Sequence, residues 1–123
     1  MYRSIILFIL LCSNVVAHEM TPTYPKWGMT YIEGVKKATM KMVNKREDVE
    51  WYEIDVFDDK WKPIPFVTKS KIFKIKYLGH RKFDVYINAK DSERTEYLCS
   101  TSKLIGDGST KPMLETRICS RFK

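Results

Sequence analysis

A chain of 123 residues can bury one hydrophobic core but not two, so its function has to come from a single small fold and its surface. Its formal net charge of +7 is spread over 22 basic residues that form no single block, which describes a solvated basic face. That pattern, without a recognition motif, argues against nucleic acid as a partner.

The first segment reads as a secretory signal peptide. Arg3 gives a positive start, Ile5 to Leu11 form an unbroken apolar run, and Val15-Val16-Ala17 supply small side chains for cleavage. The run is well short of the roughly 20 residues that span a bilayer, so it predicts export to a periplasm or the exterior without a stable membrane anchor. A lipoprotein anchor at Cys12 is disfavoured by Leu10-Leu11 ahead of it. The mature domain would run from His18 to Lys123, keeping two cysteines, Cys99 and Cys119, in an oxidising compartment. Their pairing is the expected outcome.

After residue 18 the apolar spacing is that of strands. Thr21 to Tyr31 could supply a first one. Val35 to Asn44 alternates, with Ala38, Met40 and Met42 on one face and Thr39 and Lys41 on the other. Asn44 to Asp48 reads as a charged turn, and Glu50 to Phe57 as the next strand, with Tyr52, Ile54 and Val56 inward. Asp58 to Pro65 carries two prolines and is expected to turn or follow an edge. Lys71 to Tyr77 alternates through Phe73, Ile75 and Tyr77, and Phe83, Val85 and Ile87 repeat the pattern after a turn at Gly79. Thr95 to Thr101 and Thr116 to Phe122 complete the set around a loop containing Gly106-Asp107-Gly108-Ser109. The pattern predicts an all-β fold, an immunoglobulin-like antiparallel β-sandwich of about seven strands with a disulfide between the last two. Tyr97, two residues before Cys99, stands where such folds often bond a tyrosine hydroxyl back to backbone, although a core-filling role fits equally.

Four features carry a resemblance over most of residues 20 to 123: Met40-Lys41-Met42-Val43-Asn44, Trp51-Tyr52, Pro63-Ile64-Pro65-Phe66, and the cysteine pair followed by Ser120-Arg121-Phe122-Lys123. With them the layout resembles the N-terminal domain of periplasmic pilus-assembly chaperones, in the subclass with a long last loop and a disulfide. The resemblance implies binding by β-augmentation, in which alternating apolar side chains of the last strand, here Ile118 and Phe122, fill a gap in a partner's sheet. It further implies that Arg121, in place of the family's lysine, grips a C-terminal carboxylate, with Lys26 as the matching basic residue of the first strand. Two departures stand out. The family's second domain has no counterpart before Lys123, and Ser120 thins the row of apolar knobs. The expectation is therefore a stand-alone binding or structural module whose partner is another protein, such as a pilus-like, envelope or virion subunit.

Catalytic chemistry finds no foothold. There is no Gly-x-Ser-x-Gly elbow and no free mature cysteine, and Asp58-Asp59 beside Lys60 and Lys62 read as turn formers. Neither an enzyme nor a cofactor is expected. The alternative reading is a copper-binding protein, in which a new N-terminal His18 chelates through its amine and imidazole with His80 as second ligand. Positive neighbours in Gly79-His80-Arg81-Lys82 oppose it, and otherwise His18 is a frayed end and His80 an exposed turn residue. Trp27, Trp51 and Trp61 are candidates for a contact patch or for packing under loops.

Overall fold

The computed structural model describes residues 17–103 and 115–122. The segment expected to be a signal peptide, up to Val16, the loop 106–109, and Met113, Leu114 and Lys123 lie outside the described residues. The elements are β1 (Glu19–Thr21), β2 (Gly28–Met29), β3 (Val35–Val43), β4 (Trp51–Asp58), β5 (Ile72–Lys74), β6 (His80–Asn88), β7 (Thr95–Lys103) and β8 (Arg117–Arg121). A 3-10 turn at Ala89–Asp91 follows β6, its first residue preceded by Asn88, whose side chain accepts from the Lys90 N–H.

All pairing is antiparallel. In one sheet β3 is central, with β6 along its whole length on one side and β1 and β2 on the other; the second sheet runs β5-β4-β7-β8. The alternating apolar residues of β3 and β4 turn inward as their spacing requires. Ala38, Met40 and Met42 face Tyr52, Ile54 and Val56, with Val85, Leu98 and Phe73 closing the same core. Each such side chain, fully buried, contributes roughly 1.5–3 kcal/mol, which is why register is fixed wherever one face is apolar.

The expected first strand is split. Pro22, joined to Thr21 by a cis peptide bond, and Pro25 leave two short pieces, β1 against Thr21↔Lys41 and β2 against Gly28↔Lys37, both on the same edge of β3. Between them the chain leans to the other sheet, where the Arg121 N–H donates to the Thr23 carbonyl at 3.0 Å. The expected strand Lys71 to Tyr77 is also shorter. It ends at Lys74, because Asn44 captures the Ile75 carbonyl and the Leu78 N–H donates to the Asn44 carbonyl, folding 75–79 into a turn that leaves Tyr77 exposed. Within that turn Leu78 sits at φ 62°, and Gly79 is needed because a Cβ there would stand 2.9 Å from the Lys76 carbonyl oxygen.

Asp58 behaves as a turn former: its carboxylate accepts from the N–H groups of Lys60 and Lys62, both at 2.9 Å. Cys99 and Cys119 stand directly opposite each other in β7 and β8 with Cα atoms 4.0 Å apart, and their disulfide joins these strands on the outer face. Cys99 belongs to the closely spaced, non-hydrogen-bonded kind of pair that brings side chains near enough to bridge. Among the described residues Tyr97 meets a ring and not a backbone group. It lies on that same outer face, stacked on Trp61 at 4.2 Å, while Leu98 takes the inward position.

Candidate partner-binding site and a buried polar network

β8 is the last strand of its sheet, and its even-numbered side chains point inward. Phe122 is 6% exposed and stacks on Trp27 at a centroid distance of 4.3 Å, and Ile118 packs half-buried against the core. Sequence reasoning offered these two as knobs for a partner; the structure shows their side chains used internally. The odd-numbered N–H groups point the other way. Arg121 N–H is taken by Thr23, whereas among the described residues the N–H groups of Arg117 and Cys119 meet no acceptor along the edge.

At the end of this edge a cleft of about 820 Å³ is bounded by Lys26, Lys36, Trp27, Phe122, Arg121 and Glu96. The fold thus brings Lys26, Arg121 and Phe122 to one place from opposite ends of the sequence. Arg121 donates through Nε to Glu96 Oε1 at 2.5 Å, which orients the guanidinium across the cleft mouth and leaves it 58% exposed. Lys26 is exposed and forms no ion pair among the described residues. The Trp27 Nε1–H is buried without a hydrogen-bond acceptor among the described residues, a cost accepted for the stacking on Phe122.

The other end of the sandwich holds a polar network that sequence reasoning missed. Residues 44–48 are not simply a charged turn, since Asn44 and Arg46 are buried. Asn44 donates to the carbonyls of Val49 (2.7 Å) and Ile75 (2.9 Å), and its Oδ1 accepts from Arg46 N–H and from the Tyr52 hydroxyl at 2.5 Å. Burial pushes the Tyr52 phenol up to about 12, so it remains a donor. Arg46 forms a bidentate pair with Asp48 (2.9 and 2.6 Å) and reaches Ser102 at 3.3 Å. The signal available in the sequence was an Asn and an Arg-x-Asp directly after an amphipathic strand.

His18 is not a frayed end. It is 2% exposed, bonds through Nε2 to Ser100 Oγ at 2.7 Å, and lies 4.6 Å from the Tyr52 ring. Its Nδ1 is 3.4 Å from Thr116 Oγ1. His80, expected in a turn, is the first residue of β6, exposed and opposite Val43, which in turn faces Glu19. Parity therefore puts His18 on the inner face and His80 on the outer, two strands away. The structure does not bring the two together, and among the described residues no group of three or more His, Cys, Asp or Glu is placed to hold a metal ion.

Burial lowers the His18 imidazole from 6.5 to about 4; the bond to the Ser100 carbonyl opposes this and the Arg46 cation adds to it. In the unfolded chain this group takes a proton near pH 6.5, and in the fold only near 4. Stability should therefore be complete above pH 6.5 and fall as pH drops toward 4, by about 3 kcal/mol. Urea titrations across that window should show the loss in the native protein and its absence in His18→Gln; parallel curves would contradict it.

No protein-family model matches the chain, and no curated protein matches it in sequence. Among solved structures it is similar to the Escherichia coli chaperone DraB, with a TM-score of 0.58 and 12% identity over 86% of this chain. The match covers 53% of the chaperone, so the chain spans about half its length. The fold is thus an immunoglobulin-like sandwich of the chaperone type, and at this identity the likeness concerns the fold alone.

Proposed function

We propose that the protein is an exported, non-catalytic binding module of the pilus-chaperone type that engages another protein along the outer edge of β8. A partner strand would take up the open N–H groups of Arg117 and Cys119, and Arg121 with Lys26 would grip a carboxylate, such as a chain terminus, at the mouth of the cleft. The observation that carries this reading is the convergence of Lys26, Arg121 and Phe122 on one cleft at the end of a strand edge that Thr23 occupies only at Arg121. The disulfide supports an oxidising compartment.

Charged replacements of Ile118 or Phe122 would disturb the core, so they do not separate binding from folding. Arg121→Glu combined with Lys26→Glu does. Used as bait on an envelope fraction, the native protein should retain a partner and the double variant should lose it by about tenfold or more, with an unchanged thermal melt. Equal capture by both proteins would remove the proposed grip.

A further inference from the structure

The β2–β3 hairpin ends in a tip whose apolar side chains cover nothing: Met29 is 93% exposed, Ile32 67%, and Tyr31 completely so. The tip is held in shape by Thr30, whose hydroxyl donates to the Val35 carbonyl at 2.9 Å and accepts from the Ile32 N–H. Apolar exposure therefore belongs to an ordered turn. Next to it, on the outer face of the β3–β6 sheet, Lys37 stands opposite Tyr86, which is bridged to Val67, itself 68% exposed.

Further along the same face Lys41 and Lys82 stand directly opposite each other, a pairing of like charges that destabilises a sheet unless something anionic covers it. Lys69 borders the small hollow that Lys82 also lines. None of these four lysines is in an ion pair among the described residues. Of the acids on the face, Glu19 pairs with Lys45 at 2.7 Å, while Asp84 accepts from Thr39 Oγ1 at 2.6 Å, which does not cancel its charge, and is outnumbered by Lys37, Lys41 and Lys82. Glu33 is the one acid in the tip itself.

We propose that this face docks on an anionic lipid surface, with Met29, Tyr31 and Ile32 entering the interface and Lys37, Lys41 and Lys82 resting on the headgroups. The charge is complementary to acidic lipid. A protruding tip with a tyrosine among aliphatic side chains suits a soft interface, which needs depth, more than a protein surface, which needs a shaped socket. One shallow apolar contact is weak alone, and a flanking basic face supplies the second attachment that stable peripheral binding requires. The site is separate from the β8 edge and independent of its role.

Flotation with vesicles tests it. The purified protein should bind phosphatidylcholine vesicles containing about one third phosphatidylglycerol, release them at high salt, and ignore pure phosphatidylcholine. Lys41→Glu with Lys82→Glu should lower binding at least about tenfold, and so should Met29→Ser with Tyr31→Ser and Ile32→Ser, both sets keeping the native melt because the side chains are exposed. Absence of binding to the anionic vesicles, or binding indifferent to the tip variant, overturns the proposal. So does a tip variant that loses capture of a protein while the native form fails to float.

Discussion

Asn44→Ala should lower the free energy of unfolding by about 4 kcal/mol, most of what a domain of this size holds. The side chain is entirely buried and satisfies four groups: two carbonyls, one N–H and the Tyr52 hydroxyl. Alanine supplies none of these bonds, and each buried group left unmet costs roughly 1–3 kcal/mol. The damage would be concentrated at one end, because Asn44 is what bends 75–79 back against residues 44–50. Urea denaturation at pH 7 is the measurement, and a loss under about 1 kcal/mol would mean that the network is looser than drawn. Tyr52→Phe should cost far less, since it leaves a single acceptor unmet.

Cys99→Ala together with Cys119→Ala should cost about 3 kcal/mol. The bridge closes a segment with a sequence separation of 20, and the constraint it places on the unfolded chain grows with the logarithm of that length. The native protein under reducing conditions should match the double variant. If the two differ from the oxidised form by less than about 1 kcal/mol, the bond is not a principal support of the fold. The two predictions act on different states: Asn44 on the folded one, the disulfide chiefly on the unfolded one.

The sheets were legible in the sequence because period-two alternation is a local property. Ala38, Met40 and Met42, and again Tyr52, Ile54 and Val56, disclose their inward faces without knowledge of the partner strand. Cys99 and Cys119 were legible by elimination. What could not be read were the places where tertiary contact overrides local character. Arg46 looks solvated until Asp48, Ser102 and Thr116 surround it, and His18 looks terminal until Ser100 arrives from a distant strand. Phe122 fits the pattern of an exposed knob, but Trp27 occupies the space beneath it. The split first strand was written in Pro22 and Pro25, whose missing donors forbid a continuous ladder. Of the candidate site, Arg121 and Lys26 were named from a resemblance; their shared cleft with Glu96 emerges only in three dimensions.

The N-terminal segment finds its partners late. His18 is bonded to residues 82 and 98 positions further on, and Thr23 receives the N–H of Arg121. β1 between them pairs with β3, much nearer in the chain, but His18 and Thr23 on either side of it complete their hydrogen bonds only when the C-terminal strands are in place. Closure over so long a loop is slow compared with hairpin formation. A chain still lacking its C-terminal strand would therefore hold its N-terminus by β1 alone, with the segments on either side of it open to other molecules.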